Sequence, residues 1–113
     1  MGFGERFWYW RGASGRNYIH SIYRPDACPP LPGAVYVAVR CRGEERQAMA
    51  TGRFPNFWEG SMIDLAFLMK GVEADEIHVH LLARSDHEAS AVSNDLGQAM
   101  REAARGYSAL IAA

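Results

Sequence analysis

Lysine is nearly missing from this chain, and residues 1–53 contain none: all eight cations there are arginine. Arginine suits bidentate contact with phosphate or carboxylate and stacking on aromatic rings, which lysine does less well. Cysteine is equally scarce. Cys28 sits in a proline-rich loop and Cys41 just past a strand, and two isolated thiols without an export signal read as reduced rather than bridged. Long hydrophobic runs are absent too. The longest, near "LAFLM", falls far short of the roughly 20 residues needed to cross a bilayer, so no membrane partner is expected. The start "MGFGERFWYW" has no basic region followed by an apolar segment and a small-residue cleavage site. Arg6 stands where a myristoylation signal needs Ser or Thr. The expected location is therefore cytoplasmic. There is no low-complexity tract and no internal repeat.

What is present is enough for one domain spanning 1–113, with a real core and no room for a second. The net charge of −1 hides an asymmetry. Residues 1–53 carry eight arginines against four acids, +4, and residues 54–113 carry four cations against nine acids, −5. Such halves can attract one another within the fold or across a homodimer, or the basic half can hold an anionic partner.

Hydrophobic patterning gives the elements. "ERFWYWR", "GASG" and "RNYIHSIY" read as an N-terminal β-hairpin over 6–23, with aromatic and β-branched arms and small turn-formers between. "RPDACPPLPG" is a loop, because proline cannot donate to a ladder. "GAVYVAVR" alternates Val35, Val37 and Val39 against Ala34, Tyr36, Ala38 and Arg40, and "CRGEER" turns it into the return strand "RQAMATGR". Ser61 and Asp64 start a short apolar helix over "MIDLAFLMK", stopped at Gly71. "EIHVHLLA" is a further strand, with Ile77, Val79 and Leu81 on one face and His78, His80 and Leu82 on the other. Ser85 and Glu88 form a capping box before a helix over about 86–105, closed by Gly106, whose stripe is Ala89, Val92, Leu96, Met100 and Ala103. The tail "YSALIAA" is apolar enough to pack back on the body. The order ββ-ββαβα predicts an α+β domain: a small, mainly antiparallel sheet with two main helices, preceded by the hairpin.

Two groups of residues could carry chemistry, and a third is set aside. His78 and His80, two apart on a strand, lie about 7 Å apart on one face and could share a metal ion, but no spacing selects a third ligand. Two half-buried histidines bonded to neighbours satisfy the same pattern. "GASG" is not a phosphate loop, since no helix follows and the lysine is missing. The hairpin is the stronger candidate. Trp8, Trp10, Tyr18 and Tyr23 interleave with Arg6, Arg11, Arg16 and Arg24, with Arg40 and Arg53 further along, a mixture suited to stacking bases and neutralising phosphates. Half of any strand must face a core, so some of these rings are packing.

From "GAVYVAVR" through "QAMATGR" and on to the strand and capped helix after "EADEIHVHLLA", residues 33–105 resemble the GIY-YIG nuclease domain. Ala34-Val35-Tyr36 stands for the first named tripeptide and Ala50-Thr51-Gly52 for the second. The hairpin resembles an addition found in bacterial proteins of this type. The resemblance implies a nucleic-acid partner and, in active members, two tyrosines that position water, a phosphate-binding arginine and a glutamate that holds a divalent metal. Only Tyr36 matches. Ala50 replaces the second tyrosine, Gly60 or Ser61 stands at the arginine position, and Ser93 or Asn94 at the glutamate. The expectation is a nuclease-like fold without nuclease activity or cofactor, binding nucleic acid or protein. The alternative is a divergent metal-dependent hydrolase using Tyr36 with His78 and His80, which requires the three to share a sheet face.

Overall fold

The computed structural model describes residues 6–29, 31–54 and 74–112, the stretch 106–112 as helix backbone alone. The expected helix over 62–70 lies outside these residues. Among the described residues five strands, β1 (Phe7–Arg11), β2 (Asn17–Tyr23), β3 (Val35–Arg42), β4 (Glu45–Arg53) and β5 (Glu76–His80), precede one helix, α1 (Asp86–Ala112). All pairings are antiparallel, in the order β1-β2-β5-β3-β4. The fold is α+β, and the hairpin is not an appendage: β2 pairs with β5, so β1 and β2 complete the sheet.

Both hairpin turns follow from glycine. Gly43 adopts φ +61° at the first of two residues between the paired Arg42 and Glu45, where a side chain would be strained. Gly15 takes φ +90° in the β1–β2 turn. Gly12, in the same turn, meets α1 so closely that any Cβ would collide with the Asp95 carboxylate. Asp95 holds the turn: Oδ1 accepts from the Ser14 backbone N–H at 2.8 Å, and Oδ2 accepts from the Ser14 and Tyr18 hydroxyls at 2.6 and 2.7 Å. These bonds, the Ser14 hydroxyl foremost, hold its carboxyl below the ordinary value against a smaller effect of burial.

The two faces of β3 separate as its alternation predicts. Val35, Val37 and Val39 are buried against Ala89, Val92 and Leu96 of α1. On the opposite face Ala38, Ile77 and Val79 are buried with Cys28 of the proline-rich loop and Phe54, and Tyr36 packs against this group. The Tyr36 ring stacks on Phe54, centroids 5.0 Å apart, and lies across Gly52, its partner in the ladder. A Cβ at Gly52 would stand 2.9 Å from the Tyr36 hydroxyl. Gly52→Ala is therefore expected to push the ring off Phe54 and cost about 1–3 kcal/mol, the range for overpacking. Urea denaturation measures this, and a wild-type midpoint would show that the ring is not held there.

The start of α1 has the expected Ser85 cap, with the return bond of the box shifted by one residue to Arg84. The Glu88 N–H donates to Ser85 Oγ at 3.1 Å, while the Glu88 carboxylate accepts from the Arg84 N–H at 3.1 Å. Its end does not match. The helix continues through Gly106 to Ala112, so 107–112 extends it instead of folding back. Glycine inside a helix costs only about 1 kcal/mol relative to alanine, which continued helix can outweigh. β5 is also shorter than expected. It stops at His80, and Leu81 and Leu82 are exposed beyond it.

The sheet curls towards the face that α1 covers. Met49 is the extra residue of a bulge in β4, since Ala38 pairs with Ala50 but Val39 with Ala48, and a bulge bends its strand. The two edges approach without pairing, and the Arg46 guanidinium of β4 lies 4.5 Å over the Trp8 ring of β1.

Candidate nucleic-acid interface

Strand alternation splits the aromatic–arginine mixture of the hairpin. Trp8 pairs with His20 and Trp10 with Tyr18, and Trp10 and Tyr18 pack with the core under α1. These rings are not free to stack a base: the Trp10 indole donates to His78 Nδ1 at 2.9 Å, Tyr18 donates to Asp95, and Trp8 lies under Arg46. Tyr23 packs in the opposite core. Among the described residues the exposed aromatic ring is Tyr9, at 53% accessibility, which the patterning did not single out. Alternation sets it on the face opposite Trp8 and Trp10, but which of the two faces is exposed is not legible from β1 alone.

The arginines divide in the same way. Arg6, Arg11 and Arg16 are exposed, and among the described residues none of the three makes an ion pair. Arg6 lies 5.9 Å from the Phe7 ring centroid. Arg24 is exposed but paired with Asp26 at 2.8 Å. Arg40 is half-buried. Arg53 serves the fold: it donates to the Gly33 carbonyl at 2.8 Å, to Ser90 Oγ at 3.0 Å and to Asp86 at 2.9 Å, joining β4 to the loop before β3 and to the first turn of α1.

The histidines lie on the α1 face. His78 stands opposite Val37 and His80 opposite Val35, whereas Tyr36 stands opposite Val79. The shared face that the hydrolase alternative requires is thus not formed. The bonds of His78 also define its tautomer. An indole N–H can only donate, so Nδ1 accepts from Trp10 and Nε2 carries the proton, which it donates to Glu76 Oε1 at 2.9 Å. Neither ring nitrogen is left for a metal. Glu76 also accepts from Arg46, at 2.8 Å from Nε and 3.4 Å from Nη2. Burial pushes the His78 pKa down, opposed by the Glu76 hydrogen bond. Burial would raise that of Glu76, but hydrogen bonds from Arg46 and His78 outweigh it and hold it low. His80 Nδ1 donates to the Ile19 carbonyl at 2.7 Å. Among the described residues no three His, Cys, Asp or Glu side chains are placed to hold a metal ion.

The positions that the GIY-YIG resemblance would pool into one site are spread over two faces. Tyr36 lies opposite the side on which α1, carrying Ser93 and Asn94, packs. Residues 60 and 61 lie outside the described residues. Cys28 and Cys41 are both free thiols, and burial pushes Cys28 up to about 11, far from a reactive thiolate. Among the described residues no helix is long and apolar enough to cross a membrane.

In comparisons with protein-family models, curated proteins and solved structures, the chain has no match.

Proposed function

We propose that this protein is a non-catalytic binding module that holds single-stranded nucleic acid on the outer surface of its N-terminal hairpin. One observation carries the reading: Tyr9 is 53% exposed on the edge strand β1, which Arg6 precedes and Arg11 ends, with Arg16 in the turn that follows, and none of the three arginines makes an ion pair among the described residues. An accessible aromatic face stacks a base of any identity, and the neighbouring guanidinium groups neutralise the phosphates on either side. Such a surface favours unpaired strands, whose bases can splay onto a ring. The likeness of 33–105 to a nuclease domain with its site residues replaced supports the same class of partner without the chemistry.

Anisotropy titrations with labelled oligo-dT and oligo-U test it. Binding at low salt is expected to weaken with a log–log salt slope of about −2, three phosphate contacts at roughly −0.7 each. Tyr9→Ala is expected to weaken binding about tenfold, within the range for one stacked base. Arg16→Gln is expected to reduce the slope by about 0.7. No binding at low salt, or equal affinity in Tyr9→Ala, would remove the proposal.

A further inference from the structure

The stripe of α1 does two different things along its length. Ala89, Val92 and Leu96 are buried against the valines of β3, but Met100 is half-buried and Ala103 exposed. Beyond Leu96 the small side chains of Ala99 and Ala103 line a cleft together with Ala48 and the bulged Met49 of β4. A groove of about 650 Å3 is left between them, with Trp10 as one wall. That volume lies within the range of roughly 300–1,000 Å3 typical of small-molecule sites.

The groove is apolar along its floor, and its only ionisable lining side chains among the described residues are Arg11 and Arg46. Their situations differ. Arg46 is held by Glu76 and by the Trp8 ring. The Arg11 side chain makes no hydrogen bond or ion pair with the described residues. A greasy trough with a guanidinium at its margin and no acid in its lining complements a molecule with one alkyl tail and one anionic head.

We propose that the groove between α1 and β4 binds a medium-chain alkyl carboxylate, its tail along Leu96, Met100 and Ala103 and its head on Arg11. Burial of the chain supplies the affinity, and the guanidinium fork, which matches a carboxylate, selects the head. The groove shares Arg11 with the Tyr9 surface, but its apolar lining from α1 and β4 takes no part in that surface, so nucleic-acid binding can fail while alkyl binding stands.

Isothermal titration of the full chain with sodium decanoate, below micelle formation, and with decylammonium chloride tests the inference. Decanoate is expected to bind at least about tenfold tighter than decylammonium, the effect of one charge-assisted contact. Ala103→Trp, which fills the groove from an exposed position, is expected to abolish binding while its circular dichroism and melting stay those of the wild type. Arg11→Gln is expected to weaken decanoate about tenfold and leave decylammonium unchanged. Equal affinity for the two amphiphiles, or undiminished decanoate binding by folded Ala103→Trp, would overturn the proposal. So would a dimer of the wild type that Ala103→Trp dissociates, because the groove would then belong to a second copy of the chain.

Discussion

Glu76→Ala is expected to lower stability by about 3 kcal/mol, the low end for breaking a buried ion pair, because two buried donors lose their acceptor at once. The carboxylate accepts from Arg46 and from the Nε2–H of His78, and His78 in turn accepts from Trp10. His78 is fully buried, and the Arg46 side chain is only 17% exposed. Without Glu76 a guanidinium and a ring N–H remain in low dielectric with nothing to bond, which costs more than the pair contributed. Two further variants isolate the cause. Glu76→Gln keeps an acceptor for His78 and should lose less. The double variant Glu76→Ala, Arg46→Met removes the stranded charge and should recover part of the loss, a coupling that a double-mutant cycle reads directly. Urea denaturation near neutral pH supplies all of these values. A Glu76→Ala protein within about 0.5 kcal/mol of wild type, the scale of ordinary surface changes, would mean that the network does not join the sheet edges.

The same network shows where patterning along the chain stops being informative. Alternation in "GAVYVAVR" separated a valine face from a tyrosine–alanine face, and the two faces do bury against different layers. Turn glycines and the Ser85–Glu88 box marked the hairpins and the start of α1, because each acts through neighbours within a few residues. The strand order β1-β2-β5-β3-β4 is set by contacts across the chain, such as Trp10 with His78, 68 residues apart. Alternation on β1 therefore defined two sets, Trp8 with Trp10 and Phe7 with Tyr9, without saying which turns inward. Contacts distant in sequence decide that: Trp10 packs with the core under α1 and bonds His78, Trp8 lies at Arg46, and Tyr9 is left exposed. The charge asymmetry of the halves resolves in a similar way. Arg46–Glu76 and Arg53–Asp86 each join the basic half to the acidic half within one fold. Arg53 looked like a phosphate ligand in the sequence for the same reason that it works as a clamp: three fixed donors on one planar group.

Acidification is expected to weaken the fold in two stages, the first set by His20. This ring is fully buried; Nδ1 donates to the Tyr18 carbonyl at 2.9 Å and Nε2 has no hydrogen-bond partner among the described residues, with the His80 ring 5.4 Å away. A second proton would have to enter at Nε2, where nothing accepts from it. Burial accordingly lowers the His20 pKa from 6.5 to about 4, with the Tyr18 carbonyl opposing and His80 and His78 adding repulsion. Above about pH 6.5 the ring is neutral in both folded and unfolded chains and costs nothing. As pH falls from there towards 4, the unfolded chain takes up a proton that the folded chain refuses, and stability drops by up to about 3 kcal/mol. His78, lowered by burial, acts in the same direction. Glu76 and Asp95, both held low, supply the second stage: their contribution is present above the ordinary carboxylate pKa and is lost as pH falls below it. Urea midpoints measured from about pH 8 to about pH 4.5 isolate the first stage, since the carboxylates stay ionised over most of that window. His20→Leu, which replaces the ring with an apolar group and leaves no nitrogen to protonate, should flatten most of the slope there. A wild-type slope in that variant would assign the acid sensitivity to groups other than His20.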